Sequence, residues 1–157
     1  MSFALSASAA ARVDEIVGRY PDAAAALLPI LHVVQRDKGF ISTDAEEWVA
    51  GRLGLSTLRV REVLSFYTLF RRRPAGRHVI QVCRNLSCTM AGAEALLDRI
   101  EKTLGIRAGE TTPDGMFSLV TVECLGNCDH AQCLMIDDDD YGPVTPEGVA
   151  GILGRLG

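Results

Sequence analysis

Cys83 and Cys88, then Cys124 and Cys128, stand in two close pairs: C-x4-C, 35 intervening residues, C-x3-C. A short loop can turn both sulfurs of such a pair onto one metal centre. Structural zinc loops place roughly two to four residues between paired cysteines and often mix in histidine. Plant-type ferredoxins use C-x4-C-x2-C with a distant fourth cysteine. Two widely separated pairs suit a 2Fe-2S cluster, in which each iron takes two cysteines and two bridging sulfides complete its tetrahedron. A binding module with a structural zinc on the same four cysteines is the alternative of another class.

The elements around the pairs must bring four sulfurs together. The β-branched run from His78 to Val82 reads as a strand and leads straight into Cys83. Phe117 to Val122 reads as a second strand, followed by Cys124. Ala91 to Leu104 reads as a helix between them, with Leu96, Leu97, Ile100 and Leu104 on its apolar side and Gly105 as its stop. A strand–helix–strand crossover makes parallel neighbours with a right-handed connection. Both pairs then emerge at the carboxyl edge of the sheet, the usual ligand edge of an open α/β layer. Cys88 precedes the helix expected at Ala91, where backbone N–H groups and a partial positive charge favour a thiolate. Gly126, inside Cys124-Leu-Gly-Asn-Cys128, permits a tight loop whose amides approach sulfur. Such N–H···S contacts tune cluster potential. Leu134 to Ile136 reads as a third short strand. Thr145-Pro146-Glu147 reads as the opening of a last helix, with proline at its first position.

The first half reads differently. Ala10, Val13, Ile16 and Val17 recur at helical spacing up to Tyr20-Pro21. Asp22 can cap a second helix that stops at Gly39, with a kink or new start at Pro29. Thr43 and Glu46 have capping-box spacing for a third helix ending at Gly54, and Ser56 starts a fourth. These short amphipathic helices need one another for burial. Arg71-Arg72-Arg73-Pro74 breaks the pattern and reads as a solvated linker, or as a docking patch for an acidic surface. The expected organisation is a helical bundle over residues 1–75 and a small α/β domain over residues 76–157.

Composition sets outer limits. The 157 residues are 48% hydrophobic and 23% charged, a globular balance, with a formal charge of -4 that gives no nucleic-acid footprint. No apolar stretch reaches the roughly 18 residues of a membrane span. The segment from Met1 to Arg12 lacks a basic secretory n-region and reads as a frayed helix start. Five cysteines without an export signal point to a reducing compartment rather than a disulfide scaffold.

Other candidate groups read as structural. Cys133 reads as a small buried thiol, and His32 and His78 as part of the framework. His130 as a ligand would imitate a Rieske site, but Rieske centres replace two cysteines with two histidines. The run Asp137 to Asp140 reads as a solvated turn, since exposed charges beyond about 8 Å are largely screened. A thiol–disulfide enzyme would show C-x-x-C, which neither pair has. Phe66 and Tyr67 leave room for a helical adaptor that docks a partner.

Further segments carry a resemblance. These are Tyr20-Pro21, Leu28-Pro-Ile-Leu31 with Gln35 and Gly39, and Ser65-Phe-Tyr-Thr-Leu-Phe70. To them are added Gly109-Glu-Thr-Thr-Pro-Asp-Gly115 with Phe117, and Glu123-Cys-Leu-Gly-Asn-Cys128. Over nearly its full length the chain resembles the thioredoxin-like 2Fe-2S subunit of bacterial complex I. The matching subunits of NAD-linked hydrogenases and formate dehydrogenases belong to the same family.

The resemblance implies a thioredoxin-like 2Fe-2S domain preceded by an N-terminal helical bundle. It places Cys83 and Cys88 on one iron and Cys124 and Cys128 on the other. It implies an electron-transfer subunit of NADH-quinone oxidoreductase, with no catalytic residue of its own. FMN and NAD would lie on a partner subunit, and further iron–sulfur subunits would complete the assembly, peripheral on the cytoplasmic side of the inner membrane. The same role in an NAD-dependent hydrogenase or formate dehydrogenase is the alternative. An all-cysteine cluster goes from -2 to -3 on reduction, which implies a low potential, on the order of -400 mV. One departure is clear: the family's proline after the last ligand loop is Gln132 here, which restores a backbone donor and loosens the turn.

Overall fold

Three serines open three of the N-terminal helices by the same chemistry. The side-chain oxygens of Ser6, Ser42 and Ser56 accept from the amides of Ala9, Ala45 and Arg59 at 3.3, 3.2 and 3.2 Å. Each cap is worth about 1 kcal/mol. In the computed structural model, which describes residues 3–157, they start α1 (Ala7–Arg19), α3 (Thr43–Leu53) and α4 (Thr57–Phe66). Met1 and Ser2, the beginning of the segment read as a frayed helix start, lie outside the described residues. Asp22 caps a 3-10 turn over Ala23–Ala26, and α2 (Leu27–Lys38) follows, so Pro29 sits harmlessly in its first turn. Buried side chains of all four helices, among them Val13, Ile30, Leu31, Val49 and Val60, form one core. The chain divides into two compact units, one ending at Pro74 and the other spanning Ala75–Gly157.

The cap of α3 is Ser42, not the expected Thr43, and that frees Glu46 for another task. Glu46 is only 1% exposed. Its carboxylate accepts from Arg61 Nε at 2.9 Å and from Arg72 Nε at 3.3 Å. The arginine run is therefore no free linker. Arg71 is tied to α2 as well: its amide donates to Gln35 Oε1 at 2.6 Å, and its carbonyl accepts from Ile41 N at 2.7 Å. Gln35 Nε2 donates in turn to the Leu69 carbonyl at 2.9 Å. Sequence periodicity cannot show this clamp, because it joins a helix to an irregular strap. Removing the carboxylate in Glu46→Ala is expected to cost about 2 kcal/mol, since both guanidinium groups keep partial access to water. Thermal unfolding should then show a Tm lower by roughly 5–15 °C. An unchanged Tm would show that the clamp contributes nothing.

The second unit is a four-stranded sheet in the order β2-β1-β3-β4. Strand β1 (His78–Cys83) runs parallel to β2 (Phe117–Val122) in register from His78↔Phe117 to Cys83↔Val122. Both strands therefore end at the same edge. Strand β3 (Leu134–Ile136) lies antiparallel on the other side of β1, and β4 (Asp139–Tyr141) pairs with β3. Ile80, Val82, Leu119, Leu134 and Ile136 share a core with Leu96 and Ile100 of α6 (Ala93–Leu104) and with Val149 and Leu153 of α7 (Val149–Leu153). Gly76 touches β2 so closely that a Cβ there would lie 2.7 Å from the Phe117 carbonyl carbon.

Three expectations need correction here. The acidic run is exposed as expected, but only Asp137 and Asp138 form the turn, and it is the turn of a β3–β4 hairpin. Asp137, at φ 57°, accepts from Val79 N at 2.9 Å and meets His78 Nδ1 at 2.7 Å, while Asp139 and Asp140 enter β4. The last helix starts at Val149 rather than at Pro146, because Thr145 to Gly148 form a turn closed by Gly148 N on Thr145 Oγ1 at 3.2 Å. The helix expected from Ala91 is preceded by a separate one, α5 (Leu86–Met90), and Gly92 at φ 102° makes the break.

Candidate metal centre

Strand β1 delivers Cys83 to the sheet edge with its backbone already satisfied. Its amide donates to the Cys133 carbonyl at 3.2 Å, and the next amide, of Arg84, donates to the Val122 carbonyl at 2.9 Å. Asn85 then caps α5, its side chain accepting from the Leu86 amide at 2.8 Å. Thr89 fixes the turn further, its hydroxyl donating to the Arg84 carbonyl at 2.9 Å. Cys88 therefore lies inside α5, still ahead of the longer helix α6, and α5 turns it inward while Leu86 and Met90 stay exposed.

The second pair sits on the loop after β2. Gly126, at φ 78°, lets its amide reach Cys124 Sγ at 3.3 Å, and a 3-10 turn over Cys128–His130 follows. Hydrogen bonds join this loop to the first. Cys83 Sγ donates to the Glu123 carbonyl at 3.7 Å, and Arg84 Nε donates to Glu123 Oε1 at 2.9 Å. Gly142 supports the loop from below: a Cβ there would lie 2.6 Å from the His130 carbonyl oxygen and 3.2 Å from Asn127 Nδ2. His130 stays within its own loop, its Nδ1 meeting Asn127 Oδ1 at 3.1 Å.

The sulfurs fall into an inner and an outer group. Cys83, Cys88 and Cys133 are buried, with their Sγ atoms within 4.8 Å of one another and Cys88 Sγ 3.5 Å from Cys133 Sγ. Cys124 and Cys128 are exposed. Electrostatics link the groups. The Cys128 thiol is raised first by the charge of Cys124 and by a hydrogen bond with it, then by desolvation and the charge of Cys88, against a lowering contact from Ser87. Burial raises the Cys83 thiol, but donation from the amides of Asn85 and Leu125 and from the Cys88 and Cys133 thiols outweighs it, so its net shift is downward. Cys133 is pushed up to about 12, by burial first and then by Cys88 and Cys83.

An all-sulfur donor set of this kind suits an iron–sulfur cluster or another soft metal centre. Amides already aimed at Cys83 and Cys124 suit thiolate ligation. Cys133 is the residue whose place the sequence hid: it is a buried thiol, as expected, but it shares its space with Cys83 and Cys88. Asn85 and Gly142 were also missed, although the glycine before Pro143 was a visible signal. At Gln132 the Ala131–Gln132 peptide is cis, the Gln132 carbonyl accepts from Val144 N at 2.8 Å, and Oε1 is buried without a hydrogen-bond partner. Thiol exposure makes a direct prediction. In the cluster-free chain at mildly alkaline pH, iodoacetamide should modify Cys124 and Cys128 first because they are exposed, and Cys133 last because it is buried and its thiol is pushed up, leaving little of the nucleophilic thiolate. Peptide mass spectrometry reads the order, and early labelling of Cys133 would contradict its burial.

The sequence pattern of the thioredoxin-like 2Fe-2S ferredoxin family matches residues 13–157. An NADH-quinone oxidoreductase subunit of Rhizobium meliloti is 46% identical over 130 residues, covering 83% of this chain and 77% of the relative. The corresponding NADH-quinone oxidoreductase subunit of Pseudomonas aeruginosa is 41% identical over 96% of this chain and 91% of its own length. Subunit 2 of the Thermus thermophilus enzyme is 41% identical over 82% of this chain and 72% of its own. The chain belongs to the thioredoxin-like 2Fe-2S ferredoxin family. A solved NAD+-reducing NiFe-hydrogenase in the air-oxidized state shares the fold, with a TM-score of 0.73 and 20% identity over 83% of this chain and 22% of that chain.

Proposed function

We propose that this chain is the 2Fe-2S electron-transfer subunit of a multi-subunit NADH-oxidising complex of the NADH-quinone oxidoreductase type. The observation that carries the reading is that parallel β1 and β2 end at one sheet edge, each followed by a thiol pair, in a chain 41–46% identical to subunits of that enzyme. Cys83 and Cys88 would hold the inner iron and Cys124 and Cys128 the outer one. A 2Fe-2S cluster bound there supplies one-electron chemistry. The chain's own residues do the rest. Strand β1 and α5 keep water from the inner ligands, and the amides of Asn85, Leu125 and Gly126 offset thiolate charge at Cys83 and Cys124. The exposed outer pair leaves one short route for electrons between this chain and a neighbour.

FMN and NAD would belong to a partner subunit, with further iron–sulfur subunits beyond it. Among the described residues no helix is long and apolar enough to cross a membrane. The place proposed for the chain is a peripheral arm on the cytoplasmic side. The same role in an NAD-linked hydrogenase is the second reading, favoured by the shared fold alone. The test is to isolate the chain with its natural companions through an affinity tag and identify them by mass spectrometry. The proposal expects a flavoprotein that oxidises NADH, and a 2Fe-2S EPR signal of this chain after reduction of the complex. Companions of an NAD-linked hydrogenase would select the second reading, and a zinc-bearing chain without a flavoprotein would remove both.

A further inference from the structure

The inner sulfurs are three, and a cluster that takes two cysteines per iron has no use for the third. Cys83, Cys88 and Cys133 are 1%, 1% and 2% exposed, and their Sγ atoms lie within 4.8 Å of one another. A single ion about 2.3 Å from each of three sulfurs sets those sulfurs roughly 4 Å apart. The triad thus needs sub-ångström adjustment to close on one ion. Three different elements hold it: the end of β1, the interior of α5 and the residue before β3. The Cys83–Cys133 backbone bond at 3.2 Å fixes two of them to each other. Among the described residues no histidine or carboxylate joins the group.

From this arrangement we propose that Cys83, Cys88 and Cys133 form a mononuclear, three-sulfur site for a soft cation of the Cu(I) class in the chain before its cluster is inserted. The donor set selects the ion. Thiolates favour Cu(I) and zinc over harder ions. Zinc completes a tetrahedron and would have to draw a fourth ligand from the exposed loop, whereas Cu(I) is content with three sulfurs in a plane. Ligation exchanges thiol protons for the ion, and the protons leave to solvent with no change of oxidation state. The consequence is competition, because Cys83 and Cys88 cannot serve the ion and the cluster at once. This inference rests on the assignment of Cys83 and Cys88 to the cluster proposed above, and the two can fail separately.

The experiment uses the cluster-free full-length chain under anaerobic conditions. Cu(I) is delivered as its acetonitrile complex, and its capture is measured against a chromogenic Cu(I) chelator. Wild type is compared with Cys133→Ala, Cys133→Ser and the double variant Cys124→Ser/Cys128→Ser, with far-UV circular dichroism confirming that each is folded. The expected result is one tightly held equivalent in wild type and at least tenfold weaker capture in both Cys133 variants. Capture in the double variant should stay within threefold of wild type. X-ray absorption should count three sulfurs around copper in wild type and two in Cys133→Ala. Equal capture by wild type and Cys133→Ala, or loss of capture in the double variant, overturns the proposal. Iron and sulfide assays after cluster reconstitution keep the readings apart: a full cluster in Cys133→Ala upholds the cluster assignment whatever copper does.

Discussion

Cys83→Ser is expected to leave less than about a tenth of the wild-type cluster, since loss of a mere hydrogen-bond partner of a metal ligand already costs roughly 10–100-fold in affinity. The effect should be this large because Cys83 is the best-prepared sulfur in the chain. It is buried at the end of β1, tied through its own amide to Cys133, and its thiol is brought down by the amides of Asn85 and Leu125 despite burial. A serine hydroxyl there keeps the volume but cannot supply a thiolate. Cys124→Ser should fail to the same degree although Cys124 is exposed, because it removes half of the outer pair. Cys133→Ser should keep the cluster. Iron and acid-labile sulfide per chain, measured on the three folded variants, give the answer. A Cys133→Ser protein without iron would move the ligand assignment from Cys88 or Cys128 to Cys133.

Gly142→Val should uncouple the ligand loop from the fold. A Cβ at this position meets the His130 carbonyl oxygen at 2.6 Å and the His130 Cβ at 3.0 Å, and a branched side chain adds further overlap. Neither neighbour is the far end of a flexible side chain. The loop carrying Cys124 and Cys128 must therefore shift, at a cost of about 1–3 kcal/mol. If that strain falls on the bound state, cluster affinity drops by roughly 5–150-fold, at about 1.4 kcal/mol per tenfold. The sheet core of Ile80, Leu119 and Leu134 lies elsewhere and should hold. The expected signature is a cooperative unfolding transition close to wild type with the cluster mostly lost. Full cluster content in Gly142→Val would show that the loop does not depend on this close approach.

What the sequence showed followed from local order. Two apolar runs, each leading to a cysteine and separated by a helix, favour a parallel pair with both cysteines at one edge, and β1 and β2 form that parallel pair. Gly39 and Gly54 marked the C-terminal ends of α2 and α3, and Ser56 the start of α4. What stayed hidden depended on contacts distant in sequence. Cys133 looked like an ordinary small core residue because nothing in its neighbourhood says that β3 pairs with β1 and brings it 3.5 Å from Cys88. The acidic run is solvent-facing as expected, but the strand at Asp139 and Asp140 stayed hidden because aspartate is a poor strand former. Its pairing is driven by β3 and by the Asp137 contacts to His78 and Val79. Glu46 looked like half of a helix cap because the arginines that pair with it, Arg61 and Arg72, are 15 and 26 residues away.

Metal and sulfide analysis of the chain purified without air, joined to EPR after dithionite reduction, tests the central claim most directly. About two irons and two labile sulfides per chain, with a spin-half signal that appears only on reduction, is the result this account predicts. One zinc per chain, no sulfide and no signal would contradict it, and would leave four well-placed cysteines holding a structural ion instead of carrying electrons.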